Sequence, residues 1–277
     1  MMPAGVAARS VRGRLRLRAE ADDRGHTVLT RRVHEGAFHL SKPYWDGRVL
    51  MVQWVNPTAG VFAGDVLESQ VEAGPGAALL VTTPSATRIH TRQNAGLPAG
   101  LQNQSFHVAS GGWLEVQPEW LIPQRGSAFR QNTEIAVEEG GALFYAELLA
   151  PGRMAHGEAL VFEELDLRLR LTVGGKLRVQ ERLYSTPERL WPLCSGDSRP
   201  LFVGTVILCG AVEVLKVARE CLAQQTECQS GISAISADTV VVRLTATASI
   251  PLRQALRALR ASLTGMMPRL GCEMRKL

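Results

Sequence analysis

The sequence predicts a mostly β protein made of layered or coiled sheet, with a few helices near its C-terminus. Segments in which apolar and polar residues alternate recur along most of the chain, and this alternation is typical of half-buried strands. A unit of strand, glycine-rich turn and strand also recurs, around Gly74, Gly111, Gly140 and Gly174. None of these turns opens onto a helix, so layered or coiled hairpins are favoured over a βαβ fold. An ordinary sandwich stays open as an alternative.

The length and composition are those of a globular protein. With 277 residues, 45% of them hydrophobic, the chain can bury a large core, and we expect one domain over residues 1–277. Residues 1–9 are small and unpatterned, so we expect them to be disordered. Residues 10–197 are β-rich, and residues 198–277 have a mixed α and β pattern.

The chain is basic, with a net charge of +5 and a pI near 9.2, and its arginines crowd the N-terminal strands. A basic stripe can bind nucleic acid, so a basic nucleic-acid-binding β module is one alternative function. Aromatic residues make up only 5% of the chain, and no recognition-helix, zinc-finger or RNA-binding signature accompanies the arginines. A solvated strand face or an acidic protein partner is therefore favoured over nucleic acid.

Cysteine usage and hydropathy point to the compartment. The five cysteines show no C-x-x-C spacing and their number is odd, so neither a zinc site nor a complete disulfide framework is indicated. No secretory signal is recognisable, and the longest apolar run, residues 201–212, is shorter than a membrane span. We expect a cytoplasmic protein with reduced thiols and no membrane contact.

The first elements read as strands. Residues 11–18 alternate arginines with apolar residues and a glycine, and residues 27–33 return as a second strand, which predicts a hairpin. The apolar run Val49–Val55 follows as a buried strand, and it ends before Pro57 because proline lacks an amide donor. Gly64 then permits backbone angles that a tight turn requires.

Helices enter toward the C-terminus. Residues 204–225 fit a helix, residues 238–244 a strand, and residues 251–263 an amphipathic helix with a leucine stripe. Before them, residues 177–183 form a strand that places Glu181 on an otherwise apolar face. An unpaired buried carboxylate costs on the order of several kcal/mol, so Glu181 should be paired, protonated or placed in a wet passage.

Several other polar side chains occur where strands meet turns, and each has two interpretations. Asp65 either belongs to a polar site or accepts backbone hydrogen bonds in its turn, and Glu68 either joins that site or faces water. The hydroxyl groups of Thr83 and Ser85 either line a polar channel or satisfy turn backbones. Glu147 either belongs to a polar site or forms a structural ion pair with a nearby arginine.

A catalytic constellation is not indicated. The Gly-Asp-Ser sequence that ends at Ser198 is similar to the nucleophile segment of chymotrypsin-like proteases, but the glycines that should follow it are missing. A triad of Asp65 with His90 or His107 can be written, yet no spacing supports it. No G-x-S-x-G, Walker, dinucleotide or H-E-x-x-H motif occurs. A serine hydrolase using Ser198 or Ser85 stays as an alternative, and no enzyme activity is predicted.

Residues 56–65 read Asn-Pro-Thr-Ala-Gly-Val-Phe-Ala-Gly-Asp. This stretch resembles the Asn-Pro-x-Gly-Gly-x-x-Gly-Gly-Asp signature of urease accessory proteins of the UreD type, also called UreH. Ala59 and Ala63 stand where the family usually has glycine, which bears on the turn geometry. Further family-like segments follow in the same order at residues 80–88, 114–123 and 147–158.

The resemblance implies a fold and a set of partners. UreD-type proteins are described as elongated β-helical arrangements of many strands with a few helices, so we expect an elongated β-helical or layered β-hairpin architecture. They act as scaffolds in urease maturation, binding apo-urease and the UreF protein, and through UreF they recruit the GTPase UreG. No cofactor is expected to bind tightly, and GTP would enter only through the partner GTPase.

The resemblance also implies a route for nickel. In the family, Ni²⁺ is thought to pass through a water-filled internal tunnel toward the urease site. Carboxylate and hydroxyl oxygens suit such a route because they hold the ion weakly enough to release it, whereas histidine or thiolate would trap it. On this basis we expect six residues to lie along the passage, namely Asp65, Glu68, Thr83, Ser85, Glu147 and Glu181.

Overall fold

The structure is a computed structural model, and it describes residues 10–58, 60–189, 195–196, 199–211 and 213–274. Two of the expectations above fall outside these residues. They are the disorder of residues 1–9 and the candidate nucleophile Ser198.

In the described residues the chain is mostly strand, and its two α-helices lie near the C-terminus, which confirms the predicted class. The strands are β1 (Arg12–Ala21), β2 (Thr27–Glu35), β3 (His39–Leu40), β4 (Tyr44–Asp46), β5 (Val49–Val55), β6 (Val66–Ala73), β7 (Ala78–Thr82), β8 (Thr87–Ile89), β9 (Gly100–Val108), β10 (Trp113–Gln117), β11 (Leu121–Pro123), β12 (Ala128–Val137), β13 (Ala142–Leu149), β14 (Glu164–Val173), β15 (Lys176–Ser185), β16 (Ser195–Gly196), β17 (Arg199–Pro200), β18 (Phe202–Cys209), β19 (Gln229–Ser236) and β20 (Thr239–Ala246). The helices are α1 (Val214–Ala223) and α2 (Ser249–Ser262), with 3₁₀ turns at Met154–His156 and Pro268–Gly271.

Two large sheets face each other. Sheet 1 has the strand order β15-β14-β12-β9-β6-β1-β2, and sheet 2 has the order β19-β20-β18-β13-β10-β7-β5-β3. The central strands of both sheets pair in parallel, for example β9 with β12 and β10 with β13. The chain crosses from sheet 1 to sheet 2 between β6 and β7, between β9 and β10, and between β12 and β13. The middle of the chain is therefore a β-helical coil with one strand per turn in each sheet.

This topology corrects the interpretation of the glycine-rich turns as hairpins. The turns at Gly74, Gly111 and Gly140 are corners between the sheets, and only the turn at Gly174 closes an antiparallel hairpin, β14 with β15. Corners of successive coils stack so closely that a Cβ atom on Gly112 would lie 2.8 Å from the carbonyl oxygen of Gly74. Glycine serves the corner because no other residue lets two backbones approach to that distance.

The N-terminal hairpin of β1 and β2 is confirmed. Arg14 and Arg18 point away from the core, as the alternation predicts, but acids of the neighbouring strand β6 lie beside them. Arg14 lies 3.7 Å from Glu68, and Arg18 lies 3.6 Å from Glu72. This face of sheet 1 is therefore a mixed-charge surface and not the uniform basic stripe that nucleic acid would favour.

The helix predicted for residues 204–225 is wrong in its first half. Residues 202–209 form strand β18, which lies between β13 and β20, and only Val214–Ala223 is helical. One face of β18 packs into the core between the sheets and the other packs beneath the helices. A strand buried on both faces has no alternation of apolar and polar residues, so its apolar run could not be distinguished from a buried helix.

Two cores result from this layering. The first lies between sheets 1 and 2, and the second lies between the outer face of sheet 2 and the helices. The predicted C-terminal helix is confirmed as α2, and its leucine stripe, including Leu252, Leu256 and Leu259, is buried in the second core. Within the described residues, neither helix has the length and apolar character needed to cross a bilayer.

Candidate functional site

A row of polar residues interrupts the apolar inner face of sheet 2. Glu147 on β13 is the register partner of Thr205 on β18, and Thr205 is the register partner of Arg243 on β20. The neighbouring row on the same face contains Tyr145, Ile207 and other buried side chains of the core. Since register partners stack side by side across a sheet, the three polar side chains form one line perpendicular to the strands.

Sheet 1 presents a matching row on its own inner face. Ser69, Gln104 and Thr133 are register partners on β6, β9 and β12, and the row continues through Leu169 to Glu181 on β15. Gln104 donates a hydrogen bond of 2.9 Å to the Thr133 hydroxyl group. The buried Ser69 hydroxyl group has no hydrogen-bond partner within the described residues.

Glu147 connects the two sheets. Its carboxylate accepts a hydrogen bond of 2.7 Å from the side-chain amide of Gln131 and one of 2.9 Å from the hydroxyl group of Tyr145. Burial raises the pKa of Glu147, although these two donors and the nearby Arg243 oppose that rise. Burial also raises the pKa of Tyr145 well above its usual value, so its hydroxyl group stays protonated and acts as the donor.

Arg243 lies at the far end of the row, opposite β15, the edge strand of sheet 1. Its guanidinium donates hydrogen bonds to the hydroxyl group of Thr205 and to the carboxylate of Glu181. Burial lowers the pKa of Arg243, while the charge of Glu147 opposes the shift. Glu181 is thus the acid on an apolar face that the strand pattern predicted, and it is paired with an arginine from the opposite sheet.

Two cavities lie along these rows, and a third adjoins them. The end cavity, of about 220 Å³, is lined by Glu147, Glu181, Thr205 and Arg243 among others. The middle cavity, of about 50 Å³, shares Glu147 with the end cavity and has space for a handful of water molecules. The mouth cavity, of about 320 Å³, shares four lining residues with the middle cavity. We call the three together the passage, and its other polar lining includes Thr83, Thr87, Gln102, Gln104 and Gln131.

Four of the six residues predicted for a nickel route line the passage. Ser85 is exposed in the mouth cavity, and Thr83 lies where the mouth and middle cavities join. Glu147 lies between the middle and end cavities, and Glu181 lies in the end cavity. The hydroxyl group of Thr83 also accepts a hydrogen bond of 2.8 Å from the amide of Glu119, so it satisfies a turn backbone as well as facing the cavity.

The other two predicted residues lie elsewhere. Asp65 is only 2% exposed, and its carboxylate accepts hydrogen bonds from the amides of Val11 (2.7 Å) and Phe62 (2.9 Å). Glu68 points outward from sheet 1 and is about half exposed beside Arg14. Among the described residues, neither acid lines the three cavities. Of the two interpretations of Asp65, the structure therefore agrees with the structural one, in which its carboxylate accepts hydrogen bonds from backbone amides.

Asp65, His90 and His107, the residues from which a catalytic triad could be written, each contact other groups. Both carboxylate oxygens of Asp65 accept backbone hydrogen bonds, as described above. His107 lies 3.2 Å from Glu138, and the His90 ring stacks on Phe62 with centroids 4.2 Å apart. Within the described residues, no group of three or more His, Cys, Asp or Glu side chains is placed to hold a metal ion.

The sequence did not predict several residues that line the passage. Thr205 lies in the segment that was interpreted as a helix, and Arg243 is the single charged residue in the strand pattern 238–244 apart from its first residue. Gln104 and Gln131 resemble ordinary solvent-facing residues of alternating strands. The lone arginine among β-branched residues was a usable signal, because a buried charge requires a partner.

Comparison with known proteins agrees with the resemblance noted in residues 56–65. The family model described as UreD urease accessory protein matches residues 11–275. A protein of Opitutus terrae named urease accessory protein UreD is 41% identical over 272 residues, which cover 96% of this chain and 98% of that protein.

More distant relatives carry the same kind of name. A protein of Acetivibrio thermocellus named urease accessory protein UreD is 33% identical over 177 residues, 63% of this chain and 66% of that protein. A protein of Helicobacter pylori named urease accessory protein UreH is 26% identical over 246 residues, 86% of this chain and 90% of that protein. Since the family model and a relative above 40% identity both span almost all of the sequence, the chain belongs to the UreD family of urease accessory proteins.

Proposed function

We propose that this chain delivers Ni²⁺ to apo-urease, and that the ion travels along the passage between the two sheets. As a member of its family the chain is an accessory protein for urease and is not itself a catalyst. The observation that carries the proposal is the pair of facing polar rows inside an otherwise apolar core, with adjoining cavities along them. A polar row that serves only stability would be an expensive feature there, because apolar side chains would pack as well.

The chemistry of the lining suits a transient metal cargo. Moving a divalent ion into a protein interior is costly unless oxygen atoms replace its hydration shell. The passage supplies carboxylates from Glu147 and Glu181, amide oxygens from Gln104, and hydroxyl groups such as that of Thr205. Neither imidazole nor thiolate groups line the three cavities in the described part of the chain. Oxygen ligands bind Ni²⁺ more weakly than those groups, so the ion can be released.

The direction of the passage follows from the coil. Thr83, just after β7, and Arg243, on β20, are separated by four strand spacings in sheet 2, along the order β7-β10-β13-β18-β20. At about 4.8 Å per spacing, the polar row is roughly 19 Å long and runs across the strands. The parallel strands β7, β10 and β13 of the coil form the first part of this line, and the antiparallel strands β18 and β20 extend it to Arg243.

The proposed partners follow from the family to which the chain belongs. We propose that it binds apo-urease and a UreF-type protein, and that a UreG-type GTPase joins through the UreF-type protein. Nickel is then a cargo and not a resident cofactor, and GTP is bound by the partner GTPase alone. The mixed-charge outer face of sheet 1 offers paired acids and arginines, so nucleic acid is not among the proposed partners.

The test is to remove the charge in the passage while keeping its size. Glu147→Met is close in volume and leaves no carboxylate between the middle and end cavities, whereas Glu68→Met removes the same charge from the outer face. Both variants would be expressed with the cognate urease operon. The readouts are co-purification of the accessory complex with urease and nickel content per urease active site.

We expect Glu147→Met to assemble normally and to lower the nickel content of urease several-fold, and Glu68→Met to match the wild type. Nickel content that is unchanged in Glu147→Met would contradict the passage. If assembly and nickel content fall together in Glu147→Met, the acid has a structural role and the passage proposal fails.

A further inference from the structure

The end cavity contains an arginine on a route proposed for a cation. We propose that Arg243 is a tethered cation, which occupies the position of a divalent ion in the end cavity and must be displaced before Ni²⁺ can bind there. This inference rests on the proposed passage, and it concerns how that passage is kept free of trapped metal.

The position of Arg243 is that of a bridging ion. Its guanidinium contacts Glu181 on sheet 1 and Thr205 on sheet 2, so it joins oxygen atoms from both walls of the end cavity. Glu147, the second acid of the cavity, lies in the same row two strands away and its pKa responds to the charge of Arg243. A divalent ion that met the same oxygen atoms would have carboxylate and hydroxyl ligands, which are hard donors.

The charges of the cavity fit an exchange of cations. Glu147 and Glu181 contribute two negative charges and Arg243 one positive charge, whereas the other two arginines of the cavity lining, Arg168 and Arg182, bind Asp166. The cluster of Glu147, Glu181 and Arg243 therefore carries one net negative charge when all three are ionised. A divalent ion added beside Arg243 would leave the cluster positive, whereas an ion that displaces Arg243 would leave it neutral. Because unbalanced charge is costly in a partly buried site, displacement is favoured over addition.

A tethered cation would prevent the two acids of the end cavity from becoming protonated or from binding a metal ion too tightly. Without Arg243, the acids would either take up a proton, toward which burial already shifts the pKa of Glu147, or hold a metal ion too firmly for release. With Arg243 attached to the adjacent strand, each arriving ion competes with a cation that is always present at high local concentration. The result is weak binding and fast release in the same cavity.

A second arginine pair in the molecule shows what a closed structural bridge looks like. Arg260 on α2 donates hydrogen bonds of 2.7 and 3.0 Å to the two carboxylate oxygens of Glu115, a fully buried residue. It donates a third, of 2.9 Å, to the carbonyl oxygen of Cys272. Arg243 instead divides its bonds between two walls of a cavity of about 220 Å³. That arrangement leaves space into which the side chain can move.

The experiment measures Ni²⁺ binding to the purified full-length chain by calorimetric titration with nickel chloride. We expect Arg243→Gln to bind Ni²⁺ at least about tenfold more tightly than the wild type, because the cation that competes with Ni²⁺ for the same oxygen atoms is removed. The double variant Glu181→Gln with Arg243→Gln should lose that gain. Arg182→Gln is the matched control: Arg182 also borders the end cavity, but its guanidinium binds Asp166, which Arg168 continues to neutralise.

If Arg243→Gln does not fold, Arg243→Lys takes its place, since a lysine ammonium cannot bridge both walls as a guanidinium does and should be displaced more easily. Wild-type affinity in these single variants, or an equal gain in Arg182→Gln, would overturn the proposal. The two proposals fail separately. Tight binding by Arg243→Gln together with normal nickel loading in Glu147→Met contradicts the passage alone, and the opposite pair of results contradicts the tethered cation alone.

Discussion

Gln131 and Glu147 are joined across the space between the two sheets by a hydrogen bond of 2.7 Å. Gln131 lies on β12 in sheet 1 and Glu147 lies on β13 in sheet 2, and the chain between them turns at the corner that contains Gly140. The two residues are at similar distances from that corner, so one turn of the coil brings them face to face. The contact fixes the carboxylate where the middle cavity meets the end cavity.

Replacing Gln131 by leucine should therefore affect Glu147 directly. The carboxylate would keep the Tyr145 hydroxyl group as a donor but lose the amide, which costs about 1.5–3 kcal/mol for a hydrogen bond to a charged group. We expect lower stability toward urea and a lower nickel content of urease. Asn132→Leu is the control, because Asn132 is the next residue on the same strand and bonds to Asn103 on the outer face. An equal fall in nickel content in Asn132→Leu would contradict the role of Gln131.

The raised pKa of Glu147 predicts a pH dependence whose sign can be worked out. An acid whose pKa is higher in the folded state than its usual 4.5 binds more protons when folded, so stability falls as the pH rises through the interval between the two values. Glu147→Gln cannot ionise and lacks this penalty. We expect the free energy of unfolding of Glu147→Gln, relative to the wild type, to increase from about pH 4 to about pH 8 in urea titrations. A constant difference would show that the acid is not shifted by burial.

The two predicted acids outside the passage should behave differently from those within it. Asp65→Ala removes the acceptor for the amides of Val11 and Phe62 and leaves both without a partner, so we expect a loss of about 2–4 kcal/mol in the free energy of unfolding. Glu68→Ala breaks a contact between half-exposed side chains and should cost at most about 1 kcal/mol. Urea unfolding of the single variants tests this, and a larger loss in Glu68→Ala than in Asp65→Ala would refute the assignment.

The sequence predicted those features that depend on local periodicity. Alternation identified β1, β2 and the strand that carries Glu181, and the leucine spacing identified α2. It also indicated that Glu181 should be paired, protonated or placed in a wet passage, and the structure pairs it with Arg243. These inferences succeed because a period of two or of 3.6 residues decides which side chains share a face, whatever the rest of the chain does.

The features that sequence reasoning missed depend on contacts between distant strands. The glycines at Gly111 and at Gly174 have similar neighbours, yet the first forms a corner between sheets and the second a hairpin. Gln131 and Asn132 are both polar, and only the pairing of β12 shows which of them points inward. Glu68 and Glu147 could not be separated for the same reason, because each lies on an alternating strand and the direction of the core is set by the coil.

The close stacking of the corners gives a test of the coil itself. A methyl group added at Gly112 would lie 2.8 Å from the carbonyl oxygen of Gly74 and 2.9 Å from that of Ala73, which are backbone atoms that cannot rotate away. We expect Gly112→Ala to lower the free energy of unfolding by about 2–4 kcal/mol, since the corner must shift to admit the methyl group. Gly231→Ala on β19 is the control, because a methyl group there would meet no atom within 4 Å and alanine costs less conformational entropy than glycine. If the two variants unfold at the same urea concentration, then adjacent corners do not stack as described, and the register of the parallel strands β7, β10 and β13 in the coil would have to be revised.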